Sequence, residues 1–121
     1  MPNTVEQKAM RIVIKYEKSQ SRHPKDVSKT GGGYDIKANN RFIEVKGQSK
    51  PKASWILIHN SIVRNLGKNL SNYYIYIVYN INKKPKLKII DPDSIFKNLR
   101  IETSFLLTSK VINEHGKDTK I

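Results

Sequence analysis

The sequence predicts an α/β domain built on a mixed central β-sheet that is flanked by helices. Three stretches predict it: an amphipathic helix near the start, a hairpin around Asn39-Asn40, and the segment 73–81, which is apolar or aromatic on both faces. A strand with two apolar faces belongs in the middle of a sheet that helices cover on each side. The 121 residues suffice for one domain, with a core at about 4–99 and a C-terminal extension at about 100–121.

The first predicted element is a helix that begins after Thr4 and ends near Ser19. Residues 4–7 have the form of a capping box, in which Thr and Gln side chains satisfy reciprocal backbone N–H groups. Glu6 and Glu17 lie on one edge of the apolar stripe, about 16 Å apart at 1.5 Å per residue, so only one can reach a given metal. Glu6 could bind the metal or complement the helix dipole. We expect Glu17 to support the metal ligands from behind or to form a salt bridge. The stripe consists of Val5, Ala9, Ile12, Val13 and Tyr16.

The hairpin consists of two runs of good strand formers around the polar pair Asn39-Asn40. Asparagine tolerates positive φ, so this pair can form a two-residue turn. A turn there places Asp35 directly opposite Glu44. Because side chains alternate along a strand, Lys46 points to the same face as Glu44. The hairpin therefore brings Asp35, Glu44 and Lys46 together.

Opposed carboxylates are an unusual feature of a hairpin, because like charges at such positions repel. The chain has only 10 acidic residues against 23 basic ones, yet it places two of them opposite each other. A divalent cation would turn this repulsion into coordination, and carboxylate oxygens suit Mg²⁺. Lys46 would then contact a phosphate or an attacking water. The alternative is a Glu44–Lys46 ion pair on a solvated sheet face.

Two loops beside the hairpin have features that suit phosphate binding. After the hairpin, Lys50 and Lys52 flank a proline in a loop well placed to hold phosphates. If the strand continues to Gln48, this residue lies on the same face as Lys46. It could orient a water or a phosphate, or be an ordinary surface residue. Before the hairpin, Gly33 ends a glycine-rich loop that would let a nucleic-acid backbone approach Asp35 closely.

The remaining elements follow from local patterns. The tail 100–121 is ambiguous, and could cover the core or form a dimer contact. Proline between Asp91 and Asp93 makes helix capping a better account of these residues than a second acidic site. Strands are predicted at 25–29, 54–58, 73–81 and 86–90, and helices at about 60–69 and after Asp91.

Composition and charge favour one class of partner and exclude several kinds of site. The net charge of +13 and the pI near 10.0 favour a polyanionic partner, and nucleic acid is the commonest. Anionic membrane is the rival, but no helix combines a basic face with a bulky apolar face that could insert. The absence of cysteine excludes disulfides, thiolate zinc sites and a cysteine nucleophile. Without disulfides or a signal-like leader, the sequence indicates a cytoplasmic protein.

Asp35 followed by Glu44-Val45-Lys46 resembles the Asp…(Asp/Glu)-x-Lys signature of the PD-(D/E)XK nuclease superfamily. More narrowly, the text Gly-Tyr-Asp-Ile followed by Ile-Glu-Val-Lys-Gly is similar to the domain at the C-terminus of the plant protein NO VEIN and its prokaryotic relatives. The likeness covers roughly residues 5 to 95.

The resemblance implies a restriction-endonuclease-like core and a Mg²⁺-dependent DNA endonuclease, with Mn²⁺ as a substitute metal. Asp35 and Glu44, with the backbone carbonyl of Val45, would bind the metal, Lys46 would assist the attack, and Glu6 would join the site. A homodimer, or a structure-specific activity like that of archaeal Holliday junction resolvases, suits a chain this small. A restriction, defence or mobile-element system is an expected setting. The rival class is a nuclease-like module that binds nucleic acid or partner proteins without cutting.

Overall fold

The computed structural model describes residues 4–30, 32–58, 71–101 and 105–121. The helix expected at 60–69 lies outside them. The helices are α1 (Val5–Ser19), α2 (Pro92–Asn98) and α3 (Ser109–His115). The strands are β1 (Pro24–Asp26), β2 (Ile36–Ala38), β3 (Arg41–Gly47), β4 (Ile56–Ile58), β5 (Tyr73–Tyr79), β6 (Lys86–Ile90), β7 (Arg100–Ile101), β8 (Phe105–Leu107) and β9 (Lys117–Thr119).

Helix α1 has the expected bounds, and its first turn is capped locally. The Gln7 N–H donates to Thr4 Oγ1 at 3.1 Å, and the Thr4 N–H donates to Gln7 Oε1 at 3.2 Å. This reciprocal pair is the predicted capping box. None of the helices in the described part of the chain is long and apolar enough to cross a membrane.

The described strands form a six-stranded main sheet in the order β1-β2-β3-β5-β6-β9 and a small sheet in the order β4-β8-β7. In the main sheet β3 and β5 are parallel and the other neighbours are antiparallel, so the predicted mixed α/β architecture is confirmed. Strand β5 lies inside the sheet, as its two apolar faces predicted, and helices cover both of those faces.

The two faces of the main sheet bury separate clusters. On the face that α1 covers, here the α1 face, Ala9 and Val13 pack with Ile43, Tyr76 and Val78. On the opposite face, here the acidic face, the cluster includes Ile95 of α2 and Ile112 of α3, together with the buried side of β4. Strand β5 contributes Tyr73, Ile75, Ile77 and Tyr79 to the acidic face.

Gly47 fixes the contact between α1 and β3. A Cβ atom there would lie 2.7 Å from Val5 Cγ1 and 3.1 Å from Ala9 Cβ, so the helix approaches too closely for any other residue. Gly47 therefore belongs to the α1 face. Because side chains alternate along a strand, Glu44 and Lys46 project from the acidic face.

The structure also settles the shorter elements. Strand β1 ends earlier than expected because the Ser28 N–H turns back to Asp26 Oδ1 at 3.0 Å, and β4 begins only at Ile56. The tail covers the core: Leu107 and Ile112 are fully buried, and β9 pairs with β6 at the sheet edge. Asp91 caps α2 as predicted, since Asp91 Oδ1 accepts from the Ser94 N–H at 2.8 Å.

Candidate active site

The hairpin between β2 and β3 has the predicted register. Ile36 pairs with Ile43, and Asn39 adopts a φ of +54° in the two-residue turn. Asp35 comes directly before β2, and its N–H donates to the Ile43 carbonyl at 2.9 Å. The hairpin therefore holds Asp35 beside Glu44, as the sequence indicated.

The two carboxyl groups form an acidic pair in which Glu44 is buried and Asp35 is half-buried. Asp35 Oδ2 accepts the Val45 N–H at 2.8 Å, which orients this carboxylate. Glu44 is only 8% exposed. Burial raises the pKa of Glu44 to about 9, and hydrogen bonding to Asp35 and its negative charge add to the rise. A proton held between Glu44 and Asp35 offsets the repulsion between their charges.

Lys46 lies at the edge of this pair. Its Nζ is 3.9 Å from Glu44 Oε2, and its side chain is 36% exposed. Its charge lowers the Glu44 pKa by less than burial and Asp35 raise it. The Lys46–Glu44 contact of the surface alternative is thus present, but its acidic partner is buried rather than on a solvated face.

Tyr73 adds a group that sequence reasoning missed. Its side chain is fully buried, and its hydroxyl has no hydrogen-bond partner among the residues that the structure describes. Burial and the negative charges of Glu44 and Asp35 raise the pKa of Tyr73. The β3–β5 register places Phe42 beside Tyr73 and Glu44 beside Ile75, so this hydroxyl belongs to the face of the acidic pair. The sequence predicted a buried strand at 73–81, which places Tyr73 in the core. It did not predict the parallel β3–β5 register, which places the hydroxyl on the acidic face.

The Val45 carbonyl points to the same side of β3 as Asp35. The N–H and C=O of one strand residue point the same way, and the Val45 N–H is bonded to Asp35. The pattern along the strand agrees: the Ile43 carbonyl accepts from Asp35, whereas the Gln48 N–H donates to the Val78 carbonyl on the β5 side. Two carboxylates and one carbonyl are hard oxygen ligands, and Mg²⁺ ordinarily takes one or two carboxylates and keeps several waters. The residues present therefore fit this metal.

Neither glutamate of α1 joins the pair. Within the described ranges no group of three or more His, Cys, Asp or Glu side chains is placed to hold a metal ion. Glu6 is exposed in the first turn of α1, where it complements the helix dipole. Glu17 forms the expected salt bridge, with Arg22 Nε at 2.6 Å from Oε1. Metal binding by Glu6 stays a prediction.

The residues predicted to contact nucleic acid differ in exposure, backbone conformation and hydrogen bonding. Lys50 and Lys52 are exposed. Gly33 has a φ of +90°, a conformation that itself favours glycine. The Gln48 amide is engaged at both ends by the Ser54 backbone, accepting its N–H at 2.8 Å and donating to its C=O at 3.0 Å. Gln48 thus holds the following segment in place, and nucleic-acid contact by these residues stays a prediction.

A mixed α/β sheet whose hairpin carries Asp35, Glu44 and Lys46 is consistent with a restriction-endonuclease-like core. The sequence profile of the family described as Protein NO VEIN, C-terminal, matches residues 5–90, from the start of α1 to the end of β6. The match covers well over half of the chain, and the protein belongs to this family. No curated protein matches the chain.

Proposed function

We propose that the protein is a Mg²⁺-dependent endonuclease that hydrolyses phosphodiester bonds in DNA. The observation that carries this proposal is the acidic pair of half-buried Asp35 and buried Glu44, with Lys46 at its edge. Burying a carboxylate against a second one destabilises a fold unless a cation or a proton offsets their charge. Perturbed carboxyls of this kind concentrate at functional sites.

The chain's own residues have separate tasks in this proposal. Asp35 is oriented by the Val45 N–H, which leaves its second oxygen for the metal. Glu44, after losing its proton, and the Val45 carbonyl would be the other ligands. Bound Mg²⁺ would lower the pKa of a water and offset charge on the scissile phosphate. Lys46, partly exposed, holds the attacking water or offsets the negative charge that develops on the phosphate.

Charge supports DNA as the partner. The net charge of +13 attracts a polyanion, and the exposed Lys50 and Lys52 follow the strand of the acidic pair. A homodimer would supply two such sites for paired strands. The competing function is a binding module without cleavage. One observation favours it: no third acidic side chain of the described segments accompanies Asp35 and Glu44.

The test is cleavage of supercoiled plasmid, a four-way junction, a flap and single strands, with Mg²⁺, Mn²⁺ or EDTA. Wild type is compared with Glu44→Gln, which preserves shape, and with Glu114→Gln, an exposed glutamate on α3. Metal-dependent cutting should fall about 100-fold or more in Glu44→Gln and stay unchanged in Glu114→Gln. Cutting that persists in EDTA or in Glu44→Gln would contradict the proposal. No cutting of any substrate, with salt-sensitive binding, would favour the binding module.

A further inference from the structure

Trp55 is an exposed aromatic side chain in a segment that is anchored in the core. Its side chain is 53% exposed, while Ala53 and Ile56 on either side are buried in the core of the acidic face. It is the single tryptophan of the chain. Large indoles in folded proteins bury most of their surface. An indole left in solvent by a segment that is itself anchored in the core is therefore a candidate contact residue.

The backbone around Trp55 is held by three side chains. The Gln48 amide binds both backbone groups of Ser54. The Trp55 N–H donates to Ser109 Oγ at 3.1 Å, and Asn113 Nδ2 donates to the Ala53 carbonyl at 3.0 Å. A side chain presented on a fixed backbone loses little conformational entropy when a ligand covers it. The indole is thus presented in a pre-organised position.

The same hydrogen bonds connect Trp55 to the candidate active site. Gln48 lies four residues beyond Glu44 in the β3 direction, about 13 Å at 3.3 Å per residue, and on the same face. The exposed Lys50 and Lys52 lie between Gln48 and the indole along the chain. The acidic pair, the lysines and the indole therefore follow one another along one stretch of the chain.

We propose that Trp55 stacks on an unpaired base of the nucleic acid that the protein binds. The proposal rests on the proposed function for the site beside it, and it names the substrate class as nucleic acid with unpaired nucleotides. Exposed aromatics next to lysines bind single strands in this way, the ring taking a base face and the cations taking phosphates. Bases inside a duplex are stacked on each other and offer no free face.

Leu57 distinguishes this proposal from a protein-docking surface. It is 47% exposed and lies two residues beyond Trp55, in a strand whose Ile56 and Ile58 point to the core. An apolar protein partner would use both side chains. A stacked base needs the indole alone, so Leu57→Ala is the matched control.

The experiment measures binding without cleavage, in EDTA, with fluorescein-labelled oligothymidine, gapped duplex and blunt duplex. Trp55→Ala should weaken binding to the single strand and the gapped duplex by about 5- to 150-fold, and change binding to the blunt duplex little. Trp55→Phe should retain most of the affinity, and Leu57→Ala all of it. Because stacking releases no counterions, Trp55→Ala should keep the salt dependence, whereas Lys52→Ala should reduce its slope by about 0.7. In the wild type, the single tryptophan's fluorescence should be quenched by the single strand.

Equal quenching by the blunt duplex, or full affinity of Trp55→Ala, would overturn the proposal. So would an equal loss in Leu57→Ala. The outcome is separate from that of the nuclease proposal, because no cleavage is measured. Trp55-dependent binding without any cutting would leave a single-strand-binding module, and cutting without an effect of Trp55 would leave a nuclease that does not use this indole.

Discussion

Two buried glutamates lie on opposite sides of one sheet, and their partners differ. Glu17, on the α1 face, is fully buried and paired with Arg22 through two bonds of 2.6 and 2.7 Å. Glu44, on the acidic face, is buried against a second carboxylate, Asp35. A buried charge with a bidentate arginine is satisfied within the fold. A buried carboxyl whose neighbour repels it is not, and this difference separates a structural glutamate from a functional candidate.

The Glu17 side is a continuous chain of hydrogen bonds. Tyr76 Oη donates to Glu17 Oε2 at 3.0 Å and accepts from Arg41 Nη1 at 2.7 Å. The Arg41 guanidinium in turn lies 4.3 Å from the centre of the Tyr74 ring. Since Arg41 follows the hairpin turn, this chain ties the hairpin to the end of α1. The α1 face thus holds rigidly the hairpin that presents the acidic pair on the other face.

The largest loss of stability is expected where a satisfied buried ion pair is broken. Arg22→Ala leaves Glu17 buried without its cation and should lower the free energy of unfolding by about 3 kcal/mol. Urea unfolding followed by circular dichroism measures this. The control is Lys110→Ala, which removes an exposed pair with Glu114 at 3.9 Å and should change stability little. Equal losses in the two variants would mean that the Glu17 pair is not a structural centre.

The acidic pair predicts that the stability of the fold depends on pH. The pKa of Glu44 is raised from 4.5 to about 9, so between these values the folded protein holds a proton that the unfolded chain has released. Stability therefore falls as pH rises through this window, by at most about 1.4 kcal/mol per pH unit. Glu44→Gln should flatten this fall and be more stable than wild type at pH 8.

Magnesium provides a further test of the acidic pair, through its effect on thermal stability. A metal that binds only the folded protein stabilises it, and binding to Glu44 displaces the proton. At pH 8, Mg²⁺ should raise the melting temperature of wild type and leave that of Glu44→Gln unchanged. The effect in wild type should be smaller at pH 6. A shift of equal size in both proteins would place the ion elsewhere.

A smaller loss of stability is expected from Gly47→Ala, which changes the packing of the α1 face alone. The new methyl would lie 2.7 Å from Val5 Cγ1, and overpacking of this kind costs about 1–3 kcal/mol. Gly32→Ala is the control, because its nearest neighbour is Tyr34 Cε1 at an ordinary 3.6 Å. Magnesium should still stabilise the folded Gly47→Ala protein. Loss of the magnesium effect together with stability would mean that the two faces are coupled.

What the sequence predicted well is local. The turn at Asn39-Asn40 and the alternation along β3 determine the pairing of Asp35 with Glu44, and the capping box determines α1. What it did not predict depends on contacts between residues that are far apart in the sequence. The parallel β3–β5 pairing, which places Tyr73 on the acidic face, joins segments separated by a long connection. The Gln48 clamp on Ser54 and the exposure of Trp55 likewise depend on packing that no short pattern records.

Tyr73 gives the smallest stability effect and the finest comparison between an unsatisfied hydroxyl and a satisfied one. Tyr73→Phe removes a buried hydroxyl that has no partner in the described part of the chain, so stability in EDTA should stay equal or rise by up to about 1 kcal/mol. If that hydroxyl donates to the charged groups present during cleavage, the cleavage rate should fall about tenfold, the cost of one hydrogen bond.

The control is Tyr79→Phe, whose hydroxyl donates to Asp118 Oδ1 at 2.8 Å. Because this variant loses a satisfied bond at the opposite end of β5 from Tyr73, it should be less stable and cleave at the wild-type rate. Thermal unfolding in EDTA and single-turnover cleavage in Mg²⁺ measure the two quantities on the same preparations. A Tyr73→Phe protein that cuts as fast as wild type would make the buried hydroxyl a packing feature of β5, since only a group that meets the reacting atoms changes the rate while leaving the fold as stable as before.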